Sequence, residues 1–178
     1  MDDTTLRLSI AAGLSELDRD QWDAVANPPG ERHDPFLSWD FLEALEASGA
    51  ASPHEGWTPM HLTAHHPGGG LRAAMPLYAK THSYGEFVFD HSWADAYQRA
   101  GGRYYPKLLS AVPFTPVTGR RLVPPGPDQA QLQRALVAGA VQIAEQNDFS
   151  SLHINFIGDA ENEALSALGL MARTDQQF

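Results

Sequence analysis

The sequence predicts an α/β fold of the mixed α+β kind, with a largely antiparallel central sheet and helices on both of its faces. Alternating segments on either side of the PGGG turn at 67–70 indicate an antiparallel meander. A long stretch of helical periodicity fills 128–147, and the strand-like run SLHINFI follows it at 151–157. Early antiparallel strands combined with late β-α-β units are typical of a mixed sheet covered by helices.

The first half of the chain predicts a strand, two helices and then the meander. The NPPGERHDP run at 27–35 separates the two helices, because prolines and glycine interrupt regular structure. Ser38 is a suitable N-cap for the second helix and Gly49 a suitable stop. Met60 and Leu62 alternate with polar residues, which indicates a strand. The expected elements are a strand at 6–10, helices at 14–25 and 38–49, and meander strands at 57–66, 71–80 and 85–90.

The second half predicts three helices that alternate with short strands. Residues 91–110 have a helical pattern that Gly101 and Gly102 interrupt. Asp128 is placed to cap the strongest helix of the chain, whose apolar stripe includes Leu132 and Leu136. The expected elements are helices at 91–110, 128–147 and 159–168, strands at 110–114 and 151–157, and a last strand that starts at residue 170.

Length and composition exclude several classes of protein. A chain of 178 residues suggests one domain, which is large enough to fold without covalent staples. The formal net charge of −10 repels phosphate backbones, so general nucleic-acid binding is not expected. The absence of cysteine excludes disulfides, thiolate catalysis and cysteine-ligated zinc, and it fits a cytoplasmic protein. The acidic start MDDTTLRLSI is neither a secretory signal nor a membrane span.

Eight histidines raise the question of a metal site, and their spacing argues against one. His61 and His65 are expected on one strand, where four residues span about 13 Å, so both cannot reach one ion. We therefore interpret them, with His66, as polar residues on a solvated strand face. His153 alternates with core positions and is expected to be buried and hydrogen-bonded. No HExxH, GxSxG, GxGxxG or GxxxxGK[ST] pattern occurs.

The stretch RYYPKLLSAVPFTPVTGRR at 103–121 concentrates positive charge in an acidic protein. Five of the 12 lysines and arginines fall between Arg99 and Arg121. In TPVTGRR, Gly119 permits close backbone approach, and the guanidinium groups of Arg120 and Arg121 suit a diphosphate ahead of a helix. The alternative is an exposed loop with two solvated arginines, since VPPGP separates this loop from the helix. The sequence leaves both interpretations open.

Aromatic residues near this stretch are candidates for a pocket wall. Tyr104, Tyr105 and Lys107 are expected to line the same cleft as the TPVTGRR loop, because tyrosine offers flat apolar area with a hydroxyl group. The alternative is that one tyrosine packs inward and the other covers the edge of the domain. Among the histidines, His91 is the best pocket candidate, and Asp90 precedes it.

The segments DPFLSWDFLEALEASG, GWTPMHLTA and the long run from RAAMPLYAK to TGRRL resemble the bacterial FemAB-like proteins, described as peptidoglycan biosynthesis/recognition proteins. These proteins are grouped with the GNAT-type acyl-CoA N-acyltransferases, and the resemblance covers most of residues 34–157. It implies a GNAT-like fold. Because family members usually contain two GNAT-like halves, residues 1–178 are expected to form a single GNAT-like domain that is the N-terminal half of a longer protein.

The resemblance also implies a function. The first hypothesis is an acyl- or aminoacyl-transferase domain that acts on an amine acceptor linked to peptidoglycan precursors, with acyl-CoA or aminoacyl-tRNA as donor and no metal. The second is a non-catalytic recognition domain of the same fold that binds a cell-wall precursor or a protein partner. The TPVTGRR loop lacks the glycine-dense pyrophosphate loop of ordinary GNAT enzymes. The residues expected to hold the donor are Thr118, Gly119, Arg120 and Arg121; those expected to act as catalytic base are Asp90, His91 or Tyr105; and those expected to bind the substrate are Trp93, Tyr97, Tyr104 and Lys107.

Overall fold

The structure is a computed structural model that describes residues 6–124 and 126–174. Its mixed α/β architecture confirms the predicted fold class. The strands and helices are β1 Arg7–Ala11, α1 Arg19–Ala26, α2 Trp39–Ala47, β2 Trp57–Pro59, β3 His61–His65, β4 Leu71–Met75, β5 Tyr78–Lys80, α3 His91–Arg99, β6 Lys107–Ser110, α4 Gln129–Gln146, β7 Leu152–Ile154 and α5 Asp159–Ala167. Short 3-10 helices precede α1 and α2.

The described strands form two sheets. One has the order β1-β3-β4 and is antiparallel, and the other has the order β2-β5-β6-β7, in which only β6 and β7 run parallel. Each long meander segment of the sequence prediction is split between the two sheets, at Met60 in one segment and at Pro76 in the other. Pro76 has no N–H group to donate to a strand ladder. At the junction between the two sheets, the Met60 N–H donates to the Leu77 carbonyl at 2.8 Å.

Helices cover both faces of the first sheet. On β4, Ala73 and Met75 belong to the core that α4 fills, whereas Ala74, which points the other way, belongs to the core of α1 and α2. Gly139 lets α4 lie close to the sheet, because a Cβ atom at that position would come within 2.7 Å of Leu8 Cδ1. This two-sided burial explains why β3 is buried along almost its whole length.

The prediction of a third meander strand at 85–90 is wrong. The burial pattern of this segment is the reverse of that of a strand with its apolar residues packed inward. Phe87 and Phe89 are exposed, whereas Glu86 and Asp90 are buried. Phe87 also has a φ angle of 57°, which does not continue a strand. The acidic residues turn toward the sheet because Lys107 lies there, so ionic pairing rather than hydrophobic alternation orients this segment.

Other expected boundaries also shift. Helix α3 ends at Arg99, and Leu108 and Leu109 lie in β6, which starts and ends earlier than the expected 110–114 strand. Phe114 has a φ angle of 56°, so the strand cannot extend through it. Residues 170–174 form no strand, and the remainder of the expected last strand, 175–178, lies outside the described residues.

His61 is buried rather than solvated, which corrects its assignment to a solvated strand face. The Leu77 N–H donates to His61 Nδ1 at 3.3 Å, so Nε2 carries the proton and donates to Glu46 Oε1 at 2.6 Å. Glu46 Oε2 in turn accepts from the Leu14 N–H at 2.8 Å. This histidine therefore joins β3 to α2 and to the N-terminal segment as an internal structural link.

Strand β6 positions two different regions of the molecule. Lys107 lies at its start, beneath the β5–β6 segment (residues 81–106), and its end leads into the loop before α4. Because β6 and β7 are parallel, the loops that follow them, and the N-termini of α4 and α5, lie at one edge of the sheet. Three residue steps along β6 separate the two ends of this strand by about 10 Å.

Candidate functional site

The start of β6 carries a buried group of charges that we call the ionic cluster: Lys80, Glu86, Asp90 and Lys107. Lys107 Nζ lies 2.6 Å from Asp90 Oδ2 and 2.9 Å from Glu86 Oε2, and it donates to Ser83 Oγ at 2.9 Å. The Lys107 side chain is fully buried. Each partner comes from the β5–β6 segment, so the cluster holds that segment against the sheet.

Two tyrosines complete the polar network around Lys107. The Tyr104 hydroxyl donates to Asp90 Oδ2 at 2.8 Å, and the Tyr105 hydroxyl hydrogen-bonds Ser83 Oγ at 2.7 Å. The Lys107 ammonium also lies 5.4 Å and 5.6 Å from the centres of the two tyrosine rings. Aromatic faces at this distance add favourable interactions with a desolvated cation.

The second ammonium of the cluster belongs to Lys80, which pairs with Lys107 in the β5–β6 register. Its Nζ lies 3.8 Å from the centre of the Trp57 ring and donates to the Tyr84 carbonyl at 3.2 Å. Burial lowers the pKa of Lys80 to about 8, with Lys107 acting in the same direction and Glu86 opposing it. Two ammonium groups and two carboxylates give this buried cluster a balanced charge.

The two carboxylates of the cluster have pKa values that move in opposite directions. Burial raises the pKa of Glu86, although the Lys107 charge acts against this. Burial also acts to raise the pKa of Asp90, but hydrogen bonds from Lys107, Ser83 and Tyr104 outweigh it and leave the pKa lowered. Among the described residues, Asp90 Oδ1 and both Glu86 oxygens have no hydrogen-bond partner, although Glu86 Oε2 is ion-paired with Lys107. Glu86 Oε1 and Asp90 Oδ1 are therefore buried oxygens that can accept a hydrogen bond.

His153 approaches the same network from β7. Its ring centre lies 6.2 Å from that of Tyr104 in an edge-on arrangement. Burial lowers the pKa of His153 to about 4, with Lys107 contributing and Asp90 opposing. The imidazole is therefore neutral at pH 7 and adds no charge to the cluster.

Large aromatic side chains lie exposed on the β5–β6 segment that this network anchors. We call Tyr84, Phe89, Trp93 and Tyr97 the aromatic surface; their exposed fractions are 71%, 75%, 54% and 48%. Trp93 is stacked against the Arg173 guanidinium at 3.9 Å, and Tyr97 lies 6.2 Å from the Tyr104 ring. Aromatic groups held in place on an anchored segment are typical of a binding surface rather than of a core.

The structure brings part of the predicted site together. Asp90, Tyr104, Tyr105 and Lys107 share one hydrogen-bonded network, whereas His91 is exposed at the start of α3, with its ring centre 6.3 Å from that of Tyr84. Their catalytic and substrate-binding roles stay predictions. Sequence reasoning did not assign Lys80, Ser83 or Glu86 to this site, and it expected His153 in the core rather than beside the Tyr104 ring. The sequence offered a signal for Lys80 alone, which ends the strand pattern at 71–80, because a lysine that becomes buried in a strand needs an acidic partner.

The residues predicted to hold a donor lie at the other end of β6. Thr118, Gly119 and Arg120 line a cavity of about 700 Å³ between their loop and the N-terminal turns of α4 and α5. Arg120 donates to Glu31 Oε2 and to the Ala26 carbonyl, both at 2.6 Å. A Cβ atom at Gly119 would come within 2.6 Å of Asp34 Oδ2, so the glycine permits close packing between loops. The donor-binding role of these residues stays a prediction.

Arg121 does not face this cavity. Its side chain is buried and donates to the carbonyls of Val117 and Arg120, at 2.8 Å and 2.9 Å. Tyr104 and Lys107, which were expected to share a cleft with this loop, do not line this cavity. Burial lowers the pKa of Arg121, against the effect of Glu161 and Asp34. The guanidinium therefore braces the loop from inside.

Two classes of feature are absent from residues 6–124 and 126–174. This part of the chain holds no group of three or more side chains placed to bind a metal ion. No helix in it is long and apolar enough to cross a bilayer.

Solved structures with the same arrangement define the class of fold. An acetyltransferase from Trypanosoma brucei superimposes with a TM-score of 0.52 at 12% identity, over 98% of each chain. A ribosomal-protein-alanine N-acetyltransferase from Brucella melitensis biovar Abortus 2308 gives 0.50 at 12% identity, and the aminoglycoside 6′-N-acetyltransferase AAC(6′)-Ih from Acinetobacter baumannii gives 0.52 at 14%; both cover 98% of this chain and 96% of theirs. At such identities the likeness shows the fold alone, which is the GNAT N-acyltransferase fold.

A family model carries the assignment further than the fold. The model for FemAB-like proteins, described as peptidoglycan biosynthesis/recognition, matches residues 13–178. The chain therefore belongs to the FemAB-like family, which confirms the resemblance drawn from its sequence. A comparison with curated proteins finds no match for the chain.

Proposed function

We propose that this chain provides acceptor recognition for N-acyl transfer: it binds an amine-bearing cell-wall precursor at the aromatic surface. The observation that carries the proposal is the exposure of four large aromatic side chains on one segment that buried charges fix to the sheet. The family description supports the precursor class, and the fold supports a connection with acyl transfer. A cytoplasmic location is part of the proposal, since cell-wall precursors are assembled in that compartment.

The chemistry of the surface suits such an acceptor. Aromatic rings offer flat apolar area at low entropic cost, and tyrosine hydroxyls add hydrogen bonds to a sugar or peptide. The Glu86 and Asp90 oxygens without partners lie in the network beneath, where they could accept hydrogen bonds from an ammonium group. Because these oxygens are buried, contact with the ligand would require a shift of the β5–β6 segment.

A second candidate is that this chain also catalyses the transfer. The observation in its favour is that two of the candidate bases, Asp90 and Tyr105, belong to one network around Lys107. Two pKa shifts argue against it. Hydrogen bonds leave the pKa of Asp90 lowered despite its burial, and burial raises the pKa of Tyr105, so neither group is suited to accept a proton near pH 7. Acyl-CoA or aminoacyl-tRNA as donor belongs to this second candidate.

Calorimetry with UDP-N-acetylmuramoyl-pentapeptide, a soluble peptidoglycan precursor, tests the main proposal. We expect the precursor to bind, and Trp93→Ala to weaken binding by about tenfold, or 1.4 kcal/mol, without lowering the thermal midpoint appreciably. Ile10→Ala removes an exposed apolar side chain elsewhere and is the matched control. Absence of binding, or equal affinity in the Trp93 variant, would reject the proposal.

The two candidates differ in whether an acyl donor is consumed. Incubation of the chain with acetyl-CoA and the precursor, with detection of the free thiol, measures transfer directly. Binding without thiol release is the result expected from acceptor recognition alone. Thiol release that depends on the precursor would establish catalysis by this chain.

A further inference from the structure

The loop before α4 already contains an anion. Glu161, in the first turn of α5, accepts from the Arg121 N–H at 3.1 Å to each carboxylate oxygen, and from the Leu122 N–H at 2.6 Å to Oε1. The carboxylate is buried, with the whole residue 8% exposed. One internal side chain therefore satisfies two consecutive backbone donors of this loop.

Consecutive backbone N–H groups in a loop that precedes a helix are a common way to bind phosphate. In this chain the same donors point at a carboxylate supplied by a neighbouring helix. The next candidate donor, the Gly119 N–H, is also engaged, because it donates to the Phe156 carbonyl at 2.9 Å. The described loop therefore has its backbone donors at these three positions already in use.

The side-chain cations of the loop are engaged in the same way. Arg120 is held by Glu31 and by the Ala26 carbonyl, and Arg121 by two carbonyls of its own loop. Arg121 Nε, however, is buried without a hydrogen-bond partner among the described residues, and Glu161 is the main charge that compensates it. Loss of Glu161 would leave the N–H groups of Arg121 and Leu122 without an acceptor, and it would remove the main negative charge beside the buried Arg121 guanidinium.

We propose that Glu161 is an internal anion that occupies the phosphate position of this loop, so that the adjoining cavity does not take a phosphate-bearing donor. The carboxylate and the arginine together hold the loop closed by the same interactions that a ligand phosphate would make. Removal of Glu161 converts the loop into an anion site. This inference concerns the far end of β6 and does not depend on the aromatic surface or on the identity of the acceptor.

Titration with inorganic pyrophosphate tests the inference, followed through the amide signals of Arg121 and Leu122 in nitrogen-15-labelled protein. In the unaltered chain we expect these signals to stay in place. In Glu161→Ala they should shift on titration, with affinity at least about tenfold higher than in the unaltered chain, and the thermal midpoint should rise with pyrophosphate. Glu163→Ala makes the same change of charge at an exposed position of α5 and should behave like the unaltered chain.

Two results of this titration would overturn the inference. A shift of the Arg121 and Leu122 amides in the unaltered chain at low pyrophosphate concentration would overturn the inference, since the position would then be open. A folded Glu161→Ala variant with no gain in pyrophosphate binding would overturn it as well. If that variant does not fold, Glu161→Gln, which removes the charge but keeps the size of the side chain, replaces it. A folded Glu161→Gln variant with no gain in pyrophosphate binding would likewise overturn the inference. No precursor is present in this experiment, so failure here leaves the acceptor proposal standing.

Discussion

Removal of the Lys107 ammonium should destabilise the protein severely. Lys107→Met keeps the aliphatic stem but leaves Asp90 and Glu86 buried without the cation that lies 2.6 Å and 2.9 Å from them. Loss of one partner from a buried ion pair costs about 3–5 kcal/mol, because the remaining charge is desolvated and uncompensated. For a chain of this length that loss corresponds to a fall of roughly 6–20 °C in the thermal midpoint.

Urea unfolding followed by tryptophan fluorescence measures this loss, and the midpoint is compared at equal slope. Arg134→Met removes an exposed cation from α4 and should change stability by less than about 0.5 kcal/mol. Adding Glu86→Gln to the Lys107 variant removes one of the two stranded carboxylates and should recover a large part of the loss.

The dependence of this loss on pH gives a second check. Without the ammonium, the folded-state pKa values of Glu86 and Asp90 lie above those of the unfolded chain. Their ionised forms then cost stability at neutral pH, and the cost disappears below the unfolded pKa near 4. A Lys107→Met variant that loses less than about 1 kcal/mol at pH 7, with an unchanged slope, would refute the assigned role of the cluster.

Two other predictions concern positions outside the cluster's direct ion pairs. Gly119→Ala should lower the free energy of unfolding by about 1–3 kcal/mol, because the new methyl group would meet Asp34 Oδ2 at 2.6 Å. Gly68→Ala is the control and should leave the thermal midpoint unchanged, since no atom lies within 4 Å of its Cβ position. Equal thermal midpoints for the two variants would contradict this prediction. His153 has its pKa lowered to about 4, first by burial, so the protein should lose up to about 3 kcal/mol as the pH falls from about 6.5 to about 4. His153→Phe should flatten that part of the curve of unfolding free energy against pH, and an unchanged slope would show that another group titrates there.

Periodicity alone was sufficient for the elements that bury an apolar stripe. Helix α4 follows the predicted bounds to within about two residues, because Leu132, Leu136 and Ala140 repeat at helical spacing against the sheet. Strand β7 was predicted in the same way, at 151–157, but it spans only Leu152–Ile154, and Phe156 with a φ angle of 56° does not continue it. The resemblance to FemAB-like proteins was also available from the sequence, and it fixed the fold class more firmly than the periodicity did.

The expected strand at 85–90 shows where this reasoning stops. Its two phenylalanines alternate with Glu86 and Val88, so the pattern favours a strand with phenylalanine inward. The fold places Lys107, distant in sequence, under the segment, and pairing of that ammonium outweighs the burial of two aromatic rings. Sequence patterns carry no information on such a partner, because it is brought near only when β6 joins the sheet.

The function predicted for the TPVTGRR loop also depended on partners that the sequence pattern does not show. From the sequence it combines a glycine with two cations ahead of a helix, which favours a phosphate site. The structure uses each of these donors internally, since Glu31, Glu161 and several carbonyls reach the loop from other elements. Whether a cation serves a ligand depends on which carboxylates the chain brings beside it.

The sequence by itself determined the type and order of most elements, the family, and the concentration of aromatic and basic residues between 84 and 121. The tertiary structure decided which of those residues are buried, which pair with one another, and that they form two separate regions at opposite ends of β6. The physical reason is range. Backbone periodicity and capping act over a few residues, whereas desolvation and ion pairing depend on neighbours that only the folded chain supplies.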